Sequence, residues 1–278
     1  VSGAIGWIMW HRWQPDVDAL SRQEAAVVVS LTWLFAIFVG AAPLALTRSL
    51  GVLDALYEAV SGWTGAGLTM VVQVESLHPT VKLWRSLMQY VGGAGFAVLA
   101  LSAVIGPRAA GLYEAEARTD HLLPSLLDTA KVFLQLYVGL LAFGVISYMA
   151  VGMSFFDALN HAMTALASGG SSTYSASIGH FDSLGVEVVT SMLSLLGTIS
   201  FVSHFRAISS RSLRPYRDDE AMGYLLLIGV LSALVWYAIR GLFSGLMGLR
   251  VAFFHVVTGM STTGFMTVDL SNWSDLGK

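Results

Sequence analysis

Five long apolar stretches constrain this chain more than any other feature of its sequence. They lie at residues 25–47, 87–105, 131–153, 186–205 and 221–243, and each is almost free of ionisable side chains. An α-helix needs about 20 apolar residues to cross the hydrocarbon core of a bilayer. The chain is therefore predicted to be an all-α integral membrane protein. Residues 1–10 are predicted to be the end of a further helix.

The composition argues against the main alternative classes. Only 12% of the 278 residues are charged and 55% are hydrophobic, whereas a soluble domain carries about 25% charged residues. The net charge of -3 provides no basic surface for nucleic acid. The chain has no cysteine, which excludes disulfides, cysteine-ligated zinc and iron–sulfur clusters.

Three shorter apolar runs lie between the long stretches, at residues 53–63, 155–166 and 251–260. At a rise of about 1.5 Å per residue, each reaches only about halfway across a membrane. Each run is either an interfacial helix or a re-entrant half-helix. Irregular backbone next to a half-helix is tolerated at membrane depth only where protein or a watery cavity covers it.

Lysine and arginine favour half-helices that enter from the outside, because cytoplasmic loops carry the excess of basic residues. This orientation puts nine basic residues inside and six outside. The inner set is Arg12, Arg22, Arg108, Arg118, Lys131, Arg206, Arg211, Arg214 and Arg217, and the outer set is Arg48, Lys82, Arg85, Arg240, Arg250 and Lys278.

The three short runs belong to an internal repeat. Residues 54–67, 157–170 and 251–264 align without gaps, and each segment ends in glycine. A hydroxyl residue stands six places before that glycine and a polar residue nine places before it. In chain order these sets are Gly67, Gly170 and Gly264; Ser61, Thr164 and Thr258; and Glu58, His161 and His255. The repeat predicts units of spanning helix, re-entrant half-helix and spanning helix.

Such units suit a cation pathway. The C-terminus of a helix carries about half a negative charge, and several such ends that converge would attract a cation. Glycine-rich backbone beyond them would offer carbonyl oxygens in place of the ion's water shell. The residues Thr64, Ser168, Thr262 and Thr263 would add hydroxyls without bulk.

Other polar residues of the repeat have two interpretations. The polar residues nine places before the glycines are Glu58, His161 and His255. They would be metal ligands or proton carriers, or they would bond each half-helix to its surroundings. Their common position favours the structural role. Asp54 and Asp157 are predicted to be helix caps or first-turn acids, and Ser154 stands three residues before Asp157, at capping-box spacing.

Four passages of the sequence resemble the Trk/Ktr/HKT superfamily of potassium transporters, and above all the bacterial Trk-type membrane subunit. Residues 64–69 are similar to the first filter of that family. Residues 83–95, with Trp-Arg and Gly-Gly-x-Gly, resemble the helix that follows it. Residues 168–182 resemble the second filter and its outer loop, and residues 262–265, followed by Trp273, resemble the third.

The resemblance implies helix, re-entrant pore helix and helix units around a pseudo-fourfold pore, of which three units are present here and the third is incomplete. The chain is then a piece of a longer transporter. The implied potassium-binding filter residues are Gly65, Ala66, Gly67, Ser168, Gly169, Gly170, Thr262, Thr263 and Gly264. Ser171 stands where the second filter usually has an aromatic residue, so we expect looser packing behind that filter.

The predicted division of the chain follows from these units. The segments are a preceding helix end and cytoplasmic link at 1–24, a first unit at 25–106, a link at 107–130, a second unit at 131–205, a link at 206–220 and a third unit at 221–278 that is truncated after its filter.

The resemblance implies potassium uptake across the cytoplasmic membrane, most simply a bacterial inner membrane, with the potassium ion as the only bound metal and no enzymatic activity. Sodium conduction, or uptake coupled to sodium or protons, remains open. A membrane-embedded enzyme would use Asp157 with His161, or Ser200 with His204, as an acid–base pair. A non-conducting scaffold is a third alternative.

The family also implies a cytoplasmic nucleotide-binding regulatory subunit and a homodimer of membrane subunits. Four arginines in the link at 206–220 would either bind that subunit or hold anionic lipid headgroups, each worth about 1 kcal/mol. They are Arg206, Arg211, Arg214 and Arg217.

Overall fold

The computed structural model describes residues 12, 22–95, 126–199, 201–212, 214–217, 219–270 and 273. These residues form nine α-helices, three short 3₁₀ turns and no strand, which confirms the all-α class. The helices are α1 (Arg22–Leu46), α2 (Val52–Thr64), α3 (Pro79–Gly93), α4 (Leu126–Ala150), α5 (Phe155–Leu166), α6 (Leu184–Thr198), α7 (Phe201–Ser210), α8 (Asp219–Ile239) and α9 (Gly245–Met260). Predictions on residues 1–10, 96–125, Ser200 and 274–278 lie outside the described residues.

Three half-helices, α2, α5 and α9, each follow a long helix, as the repeat predicts. The first unit consists of α1, α2 and α3, the second of α4, α5 and α6, and the third of α8 and α9. Helix α3 also packs against α5 of the second unit, and α6 packs against α9 of the third. Each unit therefore supports the half-helix of the next one.

Among the described residues, three helices are long and apolar enough to cross a membrane by themselves. These spans are Ala26–Leu46, Lys131–Ala150 and Ala221–Ile239, and only 28%, 28% and 17% of them are buried within the protein. Their exposed side chains are large and apolar, with Phe35 and Leu226 as examples. An apolar surface of this extent is suited to lipid rather than to water.

The prediction of one continuous span over residues 186–205 was wrong. Helix α6 ends at Thr198, and the helix over residues 203–210 lies at 100° to it. The carbonyls in the last turn of a helix have no partner inside the helix. His204 donates from Nε2 to the carbonyl of Leu196 (2.9 Å), and its Nδ1 accepts from the hydroxyl of Tyr216 (2.8 Å). His204 therefore stabilises the bend.

Helices α2 and α5 begin where the sequence predicts capping, whereas α9 begins at Gly245, earlier than the predicted run at residues 251–260. Ser154 is the N-cap of α5, and its Oγ accepts from the backbone N–H of Asp157 (3.1 Å). Asp54 lies in the first turn of α2, after an N-cap at Gly51 that has no side-chain bond. Both acids thus occupy the first turn, where a negative charge is favourable beside the helix dipole.

Two tyrosines join the first unit to the second. The rings of Tyr90 on α3 and Tyr137 on α4 are stacked, with centroids 4.2 Å apart. Each hydroxyl donates to the backbone carbonyl of the other residue, at 2.9 and 3.0 Å. Both polar tips are therefore satisfied inside an apolar cluster.

An ion pair joins the second unit to the third. Arg250 on α9 donates from two nitrogens to the two carboxylate oxygens of Glu187 on α6, at 2.7 and 2.8 Å. The side chain of Glu187 is 9% exposed and that of Arg250 is 26% exposed. The bidentate geometry fixes α9 against α6.

Glycines allow each third helix to approach the end of its own half-helix. A Cβ atom at Gly92 on α3 would overlap the carbonyl oxygen of Trp63, and one at Gly197 on α6 would overlap that of Leu166. Trp63 and Leu166 occupy matching places, four residues before Gly67 and Gly170.

We predict that Gly197→Ala destabilises the protein, because the new methyl group meets backbone that has nowhere to move. Overpacking of this kind costs about 1–3 kcal/mol. Gly229→Ala on α8 is the matched control, since its Cβ would have no neighbour within 4 Å. Thermal unfolding in detergent should show a lower midpoint for Gly197→Ala only. Equal midpoints would contradict the close approach.

Candidate functional site

Each half-helix leads into a three-residue segment with the same pattern of positive φ angles. We call residues 65–67, 168–170 and 262–264 the filter segments. In every one, the first and third residues have positive φ. The angles are 71° and 72° for Gly65 and Gly67, 54° and 64° for Ser168 and Gly170, and 58° and 70° for Thr262 and Gly264. Positive φ is unfavourable for Ser168 and Thr262, so the surroundings must hold these residues in place.

The filter segments lie side by side. A Cβ atom at Gly67 would overlap the carbonyl oxygen of Gly169, and one at Gly170 would overlap that of Thr263. The first segment thus contacts the second, and the second contacts the third. Among the described residues, no atom lies within 4 Å of a Cβ placed on Gly264. The structure therefore brings all nine predicted filter residues into one row.

The hydroxyl residue of the repeat makes the same hydrogen bond in all three units. It lies on the half-helix and donates to the carbonyl of the residue directly after the filter glycine. The bonds run from Ser61 to Leu68 (2.6 Å), from Thr164 to Ser171 (2.8 Å) and from Thr258 to Phe265 (2.9 Å). Each bond fixes the outgoing chain to the half-helix that precedes it.

The polar residue nine places before each glycine also reaches the outgoing chain. In the first unit, the Glu58 carboxylate accepts from the hydroxyl of Thr69 (3.0 Å) and the backbone N–H of Met70 (3.0 Å). In the third unit, Nε2 of His255 accepts from the backbone N–H of Thr267 (3.4 Å).

His161 plays the same part in the second unit. A carbonyl can only accept, so Nδ1 of His161 carries the proton that bonds to the carbonyl of Asp157 (2.8 Å). In the neutral ring, Nε2 then accepts from the hydroxyl of Ser172 (2.9 Å). These contacts favour the structural interpretation over a metal site. The described residues also contain no group of three His, Asp or Glu that could hold a metal ion.

A buried ion pair supports the first filter segment. Nε of Arg85 on α3 lies 2.6 Å from the carboxylate of Glu58, and both side chains are about as buried as an apolar core residue, at 5% and 4% exposure. Nη2 of Arg85 also donates to the hydroxyl of Thr69 (3.1 Å). Arg85, which the predicted orientation places among the outer cations, is thus buried beside Glu58.

Sequence reasoning missed Gln89, which contacts the second filter segment from α3. Its Nε2 donates to the carbonyl of Gly169 (3.0 Å) and to Oγ of Ser171 (2.8 Å), and its Oε1 accepts from the N–H of Ser171 (3.2 Å). Hydrogen bonds from Gln89 and from Thr164 hold Ser171 on both sides, and the looser packing expected there stays a prediction. A glutamine inside an apolar helix was the only sequence signal.

The loops that follow the filter segments are linked to one another. The N–H and the hydroxyl of Ser175, in the loop after the second filter segment, donate to the Glu75 carboxylate at 2.7 and 2.6 Å. The hydrogen bonds from Ser175 lower the pKa of Glu75 to about 2, so the carboxylate is ionised at neutral pH. The N–H of Met266, beyond the third filter segment, donates to the hydroxyl of Ser177 (3.2 Å).

The acid–base pairs considered for an enzyme have other partners. Oδ1 of Asp157 accepts from the hydroxyl of Thr173 (2.7 Å) and Oδ2 accepts from that of Ser154 (2.7 Å). Both ring nitrogens of His161 and of His204 are occupied by the bonds described above. These side chains hold loops and helix ends together.

The four arginines of the link lie on the surface, remote in sequence from the filter segments. They are Arg206, Arg211, Arg214 and Arg217, and all four are exposed. They follow the bend at the end of α6. The structure thus provides an exposed basic surface where one was predicted.

We predict that Thr258→Val destabilises the third unit, because it leaves the buried carbonyl of Phe265 without its donor. The cost of such an unsatisfied group is about 1–3 kcal/mol. Thr267→Val is the control, since Oγ1 of Thr267 is buried and has no hydrogen-bond partner among the described residues. Hydrogen exchange of the residues around Phe265 should speed up in the first variant and not in the second. The reverse order would refute the role assigned to Thr258.

Comparison with known proteins gives one consistent result. Residues 4–243 match the profile of the TrkH family, described as cation transport protein. The chain is 34% identical over 267 residues to the Trk system potassium uptake protein TrkH of Halomonas elongata, covering 91% of this chain and 55% of the relative. It is 33% identical over 285 residues to the protein of the same name from Escherichia coli K12, covering 98% and 59%.

A solved structure shows the same architecture. The crystal structure of the potassium transporter TrkH from Vibrio parahaemolyticus superposes with a TM-score of 0.82 at 25% sequence identity, covering 98% of this chain and 57% of that one. The chain thus spans somewhat more than half the length of these relatives. The family match, the shared fold and the row of three filter segments lead to one conclusion: the chain belongs to the TrkH family of cation transport proteins.

Proposed function

We propose that this chain provides three of the filter segments of a potassium uptake pathway across the cytoplasmic membrane. The observation that supports the proposal is the side-by-side packing of residues 65–67, 168–170 and 262–264, directly after three half-helices. The relatives from Halomonas elongata and Escherichia coli are named potassium uptake proteins. The nine filter residues are proposed to line the path with backbone oxygens.

The physical basis is electrostatic. Each half-helix presents its C-terminal end, with about half a negative charge, to its filter segment. Backbone carbonyls then replace the water shell of a dehydrated ion. An ion that moves inward gains about 2.3 kcal/mol per 100 mV of favourable membrane potential. No covalent chemistry takes place, and the potassium ion is the transported substrate.

Sodium conduction is the second candidate. The repeat has one terminal glycine in each filter segment, and a Thr-Val-Gly-Tyr-Gly filter would build more complete carbonyl rings. We therefore expect preference for potassium over sodium to be moderate. Measuring the uptake of each ion separates the two candidates, because a sodium pathway would prefer sodium over potassium.

We predict that Gly67→Ser and Gly264→Ser, in the complete gene product, lower the preference for potassium over sodium. Both positions have positive φ, which serine adopts only with strain. Gly67→Ser should have the larger effect, since its Cβ also meets Gly169. Gly139→Ser on α4 is the control, with open space around its Cβ. Uptake of each ion into cells that lack other potassium transporters is the measurement. An unchanged preference in both filter variants would defeat the filter assignment.

We also propose that the exposed arginines near the end of α6 bind a cytoplasmic regulatory subunit, with membrane lipid as the competing occupant and a homodimer as the assembly. The relatives are named as members of a Trk system, and a system implies further components. Four exposed arginines close together in sequence give a basic surface that suits an acidic protein face.

Replacing Arg206, Arg211, Arg214 and Arg217 together by Gln should abolish retention of the regulatory subunit in a pull-down while membrane insertion persists. The physical reason is the loss of four positive charges from one surface. Arg48→Gln combined with Arg240→Gln is the control, because these arginines are exposed in other parts of the chain. Full retention of the subunit by the quadruple variant would assign the arginines to lipid instead.

A further inference from the structure

The side chain of Gln89 reaches from the first unit to the second filter segment. It is 1% exposed. The three hydrogen bonds to Gly169 and Ser171 use its amide nitrogen and its amide oxygen. These two residues flank Gly170, so one side chain on α3 holds the backbone on both sides of a filter glycine that belongs to another unit.

The matching place in the second unit has no such side chain. Gly92 and Gly197 are equivalent, because each meets the end of its own half-helix. Gln89 lies three residues before Gly92, and Ser194 lies three residues before Gly197. Ser194 is fully buried, and its hydroxyl has no hydrogen-bond partner among the described residues. At this place α6 therefore has a short side chain that makes no hydrogen bond to the third filter segment.

The side chains of the second and third filter segments differ in size in the opposite direction to those of α3 and α6. Where the second segment has Gly169, the third has Thr263, and where the second is followed by Ser171, the third is followed by Phe265. Thr263 and Phe265 are 2% and 1% exposed. The long side chain of Gln89 on α3 thus faces the small residues Gly169 and Ser171. On α6, the short side chain of Ser194 stands in the matching place, and the corresponding residues Thr263 and Phe265 are large.

The side chain of Gln89 fills the space behind Gly169. A Cβ atom at Gly169 would come within 2.5 Å of both Cδ and Oε1 of Gln89. Gly169 is not among the residues with positive φ, so its own backbone conformation would accept a side chain. A side chain at this position would have to displace the amide group of Gln89.

We propose that Gln89 is a positioning residue that sets the ion preference of the second filter segment by fixing the direction of the Gly169 carbonyl. The inference rests on the proposed function of that segment as an ion filter. A carbonyl oxygen has two lone pairs, so the bond from Gln89 leaves one for an ion while it restrains the oxygen. Discrimination between alkali ions depends on the position and field strength of such oxygens.

The first test is Gln89→Leu, which removes the amide and keeps most of the volume. The preference for potassium over sodium should fall about five- to tenfold, which is the effect of about one lost hydrogen bond on an equilibrium. The KM for potassium should rise, while the maximal rate changes much less. Gln135→Leu on the exposed side of α4 is the matched control. An unchanged preference and KM in Gln89→Leu would overturn the inference.

A rescue experiment separates positioning from general damage. Gln89→Ser alone should lose preference for potassium, as Gln89→Leu does. Gln89→Ser combined with Ser171→Phe recreates the pairing of the third unit, where Ser194 accompanies Phe265. The combination should recover part of the lost preference. A double variant with no more preference than Gln89→Ser would show that the two sites do not complement each other, and would overturn the inference.

Thermal unfolding keeps this inference separable from the proposed function. Gly169→Ala should lower the unfolding midpoint strongly in the unaltered protein and weakly in a Gln89→Ala background, because the second change frees the space. If the unaltered gene product transports no potassium, the proposed function fails, and this cycle alone judges the contact. Additive shifts would then overturn the contact between Gln89 and Gly169, and non-additive shifts would confirm that contact without bearing on ion preference.

Discussion

The outgoing chain behind each filter segment depends on hydrogen bonds from its own half-helix. A chain that turns back at membrane depth exposes N–H and C=O groups that lipid cannot satisfy. The repeat supplies a hydroxyl six places before each filter glycine, and that hydroxyl reaches the carbonyl one residue beyond the glycine. Because the bond recurs in all three units, it explains how three different sequences reach one backbone conformation, including positive φ at Ser168 and Thr262.

Side chains of each unit also contact the filter segment or half-helix of the next unit. Gln89 on α3 holds the second filter segment, and Glu187 on α6 pairs with Arg250 at the start of the third half-helix. The loops after the first and second filter segments are joined in the same order, through Glu75 and Ser175. No unit satisfies all its polar groups by itself, so the row of filter segments depends on interactions between units. A defect in one helix should therefore affect the filter segment of its neighbour.

The sequence predicts those parts of the structure that depend on periodicity and on repetition. Apolar length identified the three spanning helices that begin near residues 25, 131 and 221, and the repeat located the half-helices and the glycines. It did not identify Arg85 as buried, since an arginine near a helix start is usually exposed and its partner Glu58 lies 27 residues away. It also did not find the break after Thr198, because apolar composition continues across the bend. The burial of Arg85 and the break after Thr198 depend on contacts between residues that are distant in sequence. A hydropathy profile does not contain information about such contacts.

The side chains behind the filter segments break the symmetry that their backbones keep. The first segment is supported by a buried ion pair, the second by the amide of Gln89 and the third by its own Thr263 and Phe265. An ion that meets equivalent carbonyls would still find them held with different stiffness, because hydrogen bonds to charged, amide and hydroxyl groups differ in strength. The repeated unit thus gives the three filter segments a similar backbone path, while the side chains that support them differ from one segment to the next.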